Sequence, residues 1–189
     1  MKVPIRCFYI AFDASYYQYG LALIHSIREH HADELIYVYA LNCAAAVVSK
    51  LRSIRNAHVC VQILEFAGDP AAFVVCRRFV ALSILMRTMG EDVSLIGLDA
   101  DSLLCRSCDP IFDSLASVDL MLQLRPSKPD ERKMLASTYA FRNTPATRRY
   151  LGLVVGDLLA KPHAWSDDQL FLYRRYEDEV GSGALRAGP

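Results

Sequence analysis

Ser94-Leu95-Ile96-Gly97-Leu98-Asp99-Ala100-Asp101-Ser102-Leu103-Leu104 is the stretch on which the reading of this chain turns. Its apolar beginning reads as a buried strand, and the strand runs out in two carboxylates one residue apart. In an extended backbone alternate side chains share a face, so Asp99 and Asp101 are expected on the same side. Beyond the carboxyl ends of the strands in an open α/β sheet lies the crevice where ligands collect. Two acidic groups there repel each other, and repel a phosphate, unless a cation lies between them. Hard cations such as Mg²⁺ or Mn²⁺ take carboxylate oxygens and keep positions open for substrate phosphates. The pattern points to a metal–diphosphate site. Asp-x-Asp also occurs in solvated turns, so the neighbouring sequence has to decide.

Strand–helix alternation leads up to this strand. Ile5-Arg6-Cys7-Phe8-Tyr9-Ile10-Ala11-Phe12 is rich in aromatic and β-branched residues and stops at Asp13. Asp13 or Ser15 can cap a helix expected over residues 16–30, where Leu21, Ile24 and Ile27 recur at helical spacing. His30 and His31 close it, where a cationic side chain suits the helix dipole. They read as structural residues with no evident partner. A second strand is expected over residues 35–41 and a second helix over 44–55. A third strand, residues 58–64, alternates Val59, Val61 and Ile63 with His58, Cys60 and Gln62, so one face is expected to be better buried. Gly68-Asp69-Pro70 breaks the chain before a longer helix over 71–89, which Gly90 can close. The repetition predicts an α/β fold: a single doubly wound, mainly parallel sheet with helices on both faces.

After Asp101 the pattern changes. Asp109-Pro110-Ile111-Phe112-Asp113 reads as a turn with a short helical piece, residues 119–124 as a strand, and Pro126-Ser127-Lys128-Pro129-Asp130 as a surface loop. Residues 137–142 are strand-like. Thr144-Pro145 offers an N-cap and a first-turn proline for a helix reaching about residue 160. Lys161-Pro162-His163 ends it, and Asp167-Asp168-Gln169-Leu170 opens the last helix, which Asp167 or Asp168 could cap. One catalytic domain is expected over residues 1–180, with 181–189 as a flexible tail.

A chain of 189 residues fits one domain, and 53% hydrophobic with 22% charged residues suits a packed core. Lys+Arg and Asp+Glu balance at 21 each, so no global field draws nucleic acid or an anionic membrane. No uncharged apolar run approaches the roughly 18 residues that span a bilayer. Met1-Lys2-Val3-Pro4 has neither the apolar run nor the cleavage site of a secretory signal. A soluble, cytoplasmic protein is expected. Among the six cysteines only Cys105-Arg106-Ser107-Cys108 has suggestive spacing. Structural zinc wants a second pair or spaced histidines, and a redox pair opens a helix where Asp109-Pro110 makes a turn. The pair reads as incidental.

Four blocks now stand in one order: Asp13-Ala14-Ser15-Tyr16 with Ser26-Ile27 behind it, Arg78-Phe79, Leu98-Asp99-Ala100-Asp101, and Asp168-Gln169-Leu170 after Trp165. In that order they resemble the GT-A-fold glycosyltransferases, especially nucleotide-diphospho-sugar transferases of the bacterial galactosyltransferase and glycogenin type. The resemblance runs from the first strand to about residue 173. It implies a metal-dependent transferase that moves a sugar from a nucleotide-sugar, most simply a UDP-sugar, to a carbohydrate, lipid-linked or protein acceptor. By resemblance, Asp13 and Ser15 hold base and ribose and Tyr16 stacks on the base. Arg78 meets the diphosphate or donor sugar, although Arg77 beside it competes for that role. Asp101 ligates Mn²⁺ or Mg²⁺, Asp99 is shared between metal and ribose, and Asp168 and Gln169 lie near the attacked carbon.

Bland readings stand beside these: Tyr16 and Tyr17 could pack the sheet edge, Arg78 could lie on a helix surface, and Asp168 could be a cap. The stretch from Ala136 to Asn143 departs from the block with Asn and Gly that the family usually carries on the acceptor side. No later His-containing segment supplies a third metal ligand, and His163 precedes the Asp-Gln block. That favours, as the alternative, a domain that binds a nucleotide-sugar or a partner without turnover. A haloacid-dehalogenase-like phosphatase would carry its first Asp on strand one and Thr or Val where Leu103 stands. A sugar nucleotidyltransferase would want a Gly-rich loop where Phe12-Asp13-Ala14-Ser15-Tyr16 has none.

Overall fold

The computed structural model describes residues 5–65, 70–160, 164 and 166–188. The expected break at Gly68-Asp69, the helix end at Lys161-Pro162-His163, Trp165 and the first four residues lie outside the described residues. Strand β1, Ile5–Asp13, passes through a short 3-10 turn, Ala14–Tyr16, into α1, Tyr17–His30. Then come β2 (Leu35–Leu41), α2 (Ala45–Arg52), β3 (Ala57–Gln62), α3 (Pro70–Thr88) and β4 (Val93–Asp99). The second half holds α4 (Asp109–Ser114), β5 (Leu120–Leu124), α5 (Asp130–Lys133), β6 (Met134–Arg142), α6 (Pro145–Leu159), α7 (Asp167–Gly181) and β7 (Ala187–Gly188).

These strands form one seven-stranded sheet in the order β3-β2-β1-β4-β6-β5-β7. The first four run parallel, and β6 then enters antiparallel to β4 and to β5. The sheet is therefore mixed, with its parallel half where strand–helix alternation predicted one. Strand order reverses between β1 and β4, where Ala11 pairs with Asp99. Such a switch point opens a crevice beyond the strand ends.

Alternation along β1 divides the core between the two faces of the sheet. Cys7 and Tyr9 face one cluster, with Phe79, Leu82 and Met86 of α3 and Tyr150 and Leu151 of α6. Phe8, Ile10 and Phe12 face the other, with Leu23, Ile24 and Ile27 of α1. On the first face Gly97 gives Tyr139 its place: a Cβ there would fall 1.9 Å from the phenol ring. An apolar run with one glycine is what a central strand crossed by a large aromatic ring requires.

Several boundaries differ from expectation for local reasons. Helix α2 ends at Arg52, because the Ser53 N–H turns to the carbonyls of Ser49 and Lys50 and Asn56 takes a left-handed φ of 56°. Strand β3 stops at Gln62 and leaves Ile63 69% exposed, so only Val59 and Val61 follow the expected alternation. Strand β6 begins at Met134, three residues before the strand-like run, because α5 delivers the chain directly into the sheet. His31 does have partners. It is buried against Phe8 and Phe112, and its Nε2 accepts the Cys108 N–H at 2.9 Å. Cys105 is exposed, Cys108 is buried, and both are free thiols.

The expected flexible tail is instead packed. Leu185 is buried, and Ala187–Gly188 adds a parallel edge strand to β5. Asp119 holds it there: its carboxylate accepts the Arg186 backbone N–H at 3.0 Å, the Arg186 guanidinium, and Arg142 Nη2 at 3.3 Å. Among the described residues, no helix is long and apolar enough to cross a membrane.

Candidate active site

The crevice is built from the carboxyl ends of β1 and β4, the middle of α3 and the start of α7. At the end of β1 the Asp13 carboxylate accepts from Ser15 N at 2.9 Å, Tyr16 N at 3.3 Å and Ser15 Oγ at 2.6 Å. Those bonds satisfy the free N–H groups of the 3-10 turn and fix the entry to α1. They turn Tyr17 into the core, where it is 9% exposed, and leave Tyr16 47% exposed. Tyr16 thus does not pack the sheet edge; Tyr17 does.

Strand β4 ends at Asp99, and a tight turn follows, closed by Ser102 N–H to the Asp99 carbonyl at 3.0 Å. The extended backbone that was to place Asp99 and Asp101 on one side does not reach Asp101. Both residues nevertheless line one cavity of about 260 Å³, because the turn swings Asp101 back over the strand end. Asp13, Ser15, Tyr16 and Arg78 line it too.

Arg78 forms the wall between that cavity and a second one of about 100 Å³, lined also by Val75, Asp99, Ser137, Ser166, Asp168 and Gln169. Its Nη1 donates to Asp99 Oδ1, and its Nη2 to Asp168 Oδ2 at 2.8 Å. The reading of Arg78 as a helix-surface residue fails, since it is 8% exposed. Arg77, its rival, lines neither cavity and lies instead near the Tyr39 hydroxyl, where burial raises the pKa and the Arg77 charge opposes the rise. Burial would pull the Arg78 guanidinium down, but Asp99 and Asp168 outweigh it and raise it above its ordinary value. Burial chiefly, with Asp101 and Asp168 adding, lifts the Asp99 carboxyl above 3.8, and Arg78 opposes that rise.

Asp168 stands in the first turn of α7, nearly fully buried, and its Oδ1 accepts the Gln169 N–H at 2.8 Å. Neither Asp167 nor Asp168 is the N-cap of α7: both lie in its first turn, Ser166 holds the cap position, and Asp167 Oδ2 accepts the Ala164 N–H at 2.7 Å. Just before them stands Ser166 at φ 69°, a left-handed conformation that costs a non-glycine residue roughly 1–2 kcal/mol. Backbone strain of this kind gathers at ligand sites, and Ser166 lines the small cavity. On the acceptor-side stretch Ala136 and Ser137 reach the small cavity, whereas Asn143 does not. Asn143 is buried away from it, its Nδ2 donating to the carbonyls of Met89 and Gly90 behind α3.

Two carboxylates, Asp99 and Asp168, thus share one guanidinium in the wall between two cavities, and a third, Asp101, lines the larger one. The local balance is anionic, so a diphosphate entering alone is repelled, while a hard divalent cation is attracted. Among the described residues no group of three or more His, Cys, Asp or Glu could hold a metal by itself. A cation here could take protein oxygens from Asp99 and Asp101 and complete its shell with phosphate and water, as Mg²⁺-type ions do. The residues fit such a shared site, not a closed protein cage. Sequence reasoning missed Arg125, at the far end of β5, whose Nη2 donates to Gln169 Oε1 at 2.8 Å. No local signal marks it, because the contact joins residues 125 and 169 across the fold.

No protein-family model matches the chain, and no curated protein matches it in sequence. Among solved structures it is similar to the galactosyltransferase LgtC in complex with donor and acceptor sugar analogs, at TM-score 0.61 and 15% identity. That match covers 88% of this chain and 70% of LgtC. An active-site mutant of LgtC matches at TM-score 0.59 and 15% identity, with the same coverage, 88% and 70%. The apo-form glycosyltransferase GlyE of Streptococcus pneumoniae TIGR4 matches at TM-score 0.66 and 16% identity. It covers 98% of this chain, which spans only 45% of GlyE. The fold is that of the GT-A glycosyltransferases, strongly diverged in sequence.

Proposed function

We propose that this chain is a metal-dependent glycosyltransferase that moves a sugar from a nucleotide-diphospho-sugar, a UDP-sugar in the first instance, to a carbohydrate, lipid-linked or protein acceptor. The observation that carries the reading is Arg78, buried in the wall that two cavities share and bonded both to Asp99, which lines both, and to Asp168, which lines the smaller. In this reading the larger cavity takes the nucleoside diphosphate and the smaller one the donor sugar. Tyr16, open at the rim, stacks on the base, and Asp13 and Ser15 border the ribose. Arg78 faces the diphosphate and the sugar. Asp99 and Asp101 hold Mn²⁺ or Mg²⁺, which when bound neutralises charge on the departing diphosphate. A cytoplasmic location remains part of the proposal.

Asp168 then has a defined task. As the bond between the anomeric carbon and the phosphate oxygen breaks, positive charge grows on the sugar. A buried carboxylate beside it stabilises that charge or orients the incoming hydroxyl. Without an acceptor, water takes the hydroxyl's place and the donor is slowly hydrolysed. The test is release of nucleoside diphosphate from a panel of nucleotide-sugars with Mn²⁺. Asp168→Asn is expected to slow release by roughly 10²–10³-fold, the range seen when one transition-state electrostatic contact is lost. Donor affinity should change little, because the contact acts in the transition state and the Asn oxygen can keep the Arg78 bond, although the one from the Gln169 N–H is lost. A variant as fast as the wild type removes Asp168 from the chemistry.

Binding without turnover is the second reading, favoured by the engagement of Asp99 with Arg78 and, among the described residues, by a donor set of two carboxylates. Donor binding by the wild type with no release at all would select it.

A further inference from the structure

In the small cavity the group with most to offer a ligand is Gln169, and its amide is not free to turn. Its Oε1 accepts from Arg125 Nη2 at 2.8 Å. A guanidinium carries donors only, so the atom facing Arg125 has to be the amide oxygen. The bond is charge-assisted, stronger than one between neutral groups. Arg125 is itself anchored: its backbone N–H donates to the Lys133 carbonyl at 2.6 Å, and Nη2 also reaches the Met134 carbonyl at 3.4 Å. Among the described residues no carboxylate pairs with Arg125, and its Nε has no hydrogen-bond partner. Its charge is thus directed at an amide, which marks a positioning contact rather than a structural ion pair.

Asp168 beside Gln169 is an acceptor only, and each of its oxygens already takes one protein bond. Asp168 Oδ2 is taken by Arg78 and Oδ1 by the Gln169 backbone N–H. With the Gln169 oxygen held, its NH₂ is what remains for a ligand in the cavity that Gln169 lines.

We infer that Arg125 is a positioning residue that fixes Gln169 as a hydrogen-bond donor to an oxygen of the donor sugar. The inference rests on the reading of the small cavity as the sugar subsite, and it assigns polarity to that subsite. The sugar must present a lone pair to Gln169, as a hydroxyl or ether oxygen does.

The experiment measures the affinities of UDP, UDP-galactose and UDP-glucose with Mn²⁺ by calorimetry, for the wild type and three variants. Arg125→Leu is expected to leave UDP affinity within about twofold and to weaken the preferred UDP-sugar about tenfold, the loss of one oriented hydrogen bond. Arg125→Lys, still a donor, should recover most of that loss. Gln169→Glu is the sharpest variant. Its carboxylate keeps the contact to Arg125 as an ion pair, so thermal stability is held, but the NH₂ is gone and sugar affinity should fall as in Arg125→Leu.

Unchanged UDP-sugar affinity in Gln169→Glu overturns the inference, as does equal loss of UDP and UDP-sugar in Arg125→Leu. If Arg125→Leu does not fold, Arg125→Lys and Gln169→Glu decide alone. A wild type that binds none of the three ligands instead sinks the proposed function, and the subsite assignment with it.

Discussion

Two carboxylate centres in this molecule do opposite things. Asp119 is 4% exposed and is saturated by donors: the Arg186 backbone and guanidinium, Arg142, and the Thr144 hydroxyl at 3.1 Å. Burial raises its carboxyl, but the Arg186 and Thr144 bonds win and hold it below the ordinary value. Asp99 and Asp168 share a single guanidinium with Asp101 nearby, and there burial wins, so the Asp99 carboxyl rises. The satisfied centre pins the last strand to the sheet and lines neither of the two cavities of the candidate site. The under-satisfied one lies between those cavities. Charge left uncompensated in a crevice is what a ligand can complete.

The comparison breaks if the two centres respond alike to mutation. Asp119→Ala is expected to destabilise the fold by roughly 2–3 kcal/mol in urea unfolding. That is below the cost of breaking a fully buried pair, because Arg186 is largely in water. It should leave UDP affinity unchanged. A drop in affinity matching the drop in stability would mean that the tail strand and the crevice are one unit.

At the crevice, the expected order of effects is reversed. Tyr16→Ala should weaken UDP binding by roughly 1–3 kcal/mol, the worth of an aromatic–base stack, with little change in stability. Loss of stability with normal UDP binding would return Tyr16 to a packing role.

A smaller effect sharpens the contrast through pH. The depressed carboxyl of Asp119 contributes stability that is present above the unfolded-state value, about 3.9, and is lost as pH falls through the folded one. The stability gap between wild type and Asp119→Asn should therefore stay constant from about pH 7 to pH 5 and close below about pH 4. A gap that widens in acid contradicts the assignment.

How much of this was legible depends on how local the cause is. Strand β2 falls at its expected bounds because Leu35–Leu41 is an unbroken apolar run. Thr144 caps α6 as expected, accepting the Thr147 N–H at 3.2 Å, because a cap acts within one turn. Asp99 at a strand end was legible for the same reason. The turn at Ala100-Asp101, the choice of Arg78 over Arg77, and the inward position of Asp168 depended on what faces each residue from other elements. The tail was misread because Gly181-Ser182-Gly183 signals mobility, while the contacts that hold it come from Asp119, 67 residues before Arg186. Arg125 escaped notice on the same ground.

The most direct test of the crevice as a metal–diphosphate site is the shift in unfolding temperature with UDP in Mn²⁺ against UDP in EDTA. Ligand at a hundred times its Kd stabilises by about 2.7 kcal/mol, enough to read plainly. Greater stabilisation is expected with Mn²⁺. In Asp101→Asn that difference should vanish, while the ligand-free protein keeps its stability within about 0.5 kcal/mol, since Asp101 is exposed and holds nothing together. Equal stabilisation by UDP with and without metal, in wild type and variant alike, would contradict the account.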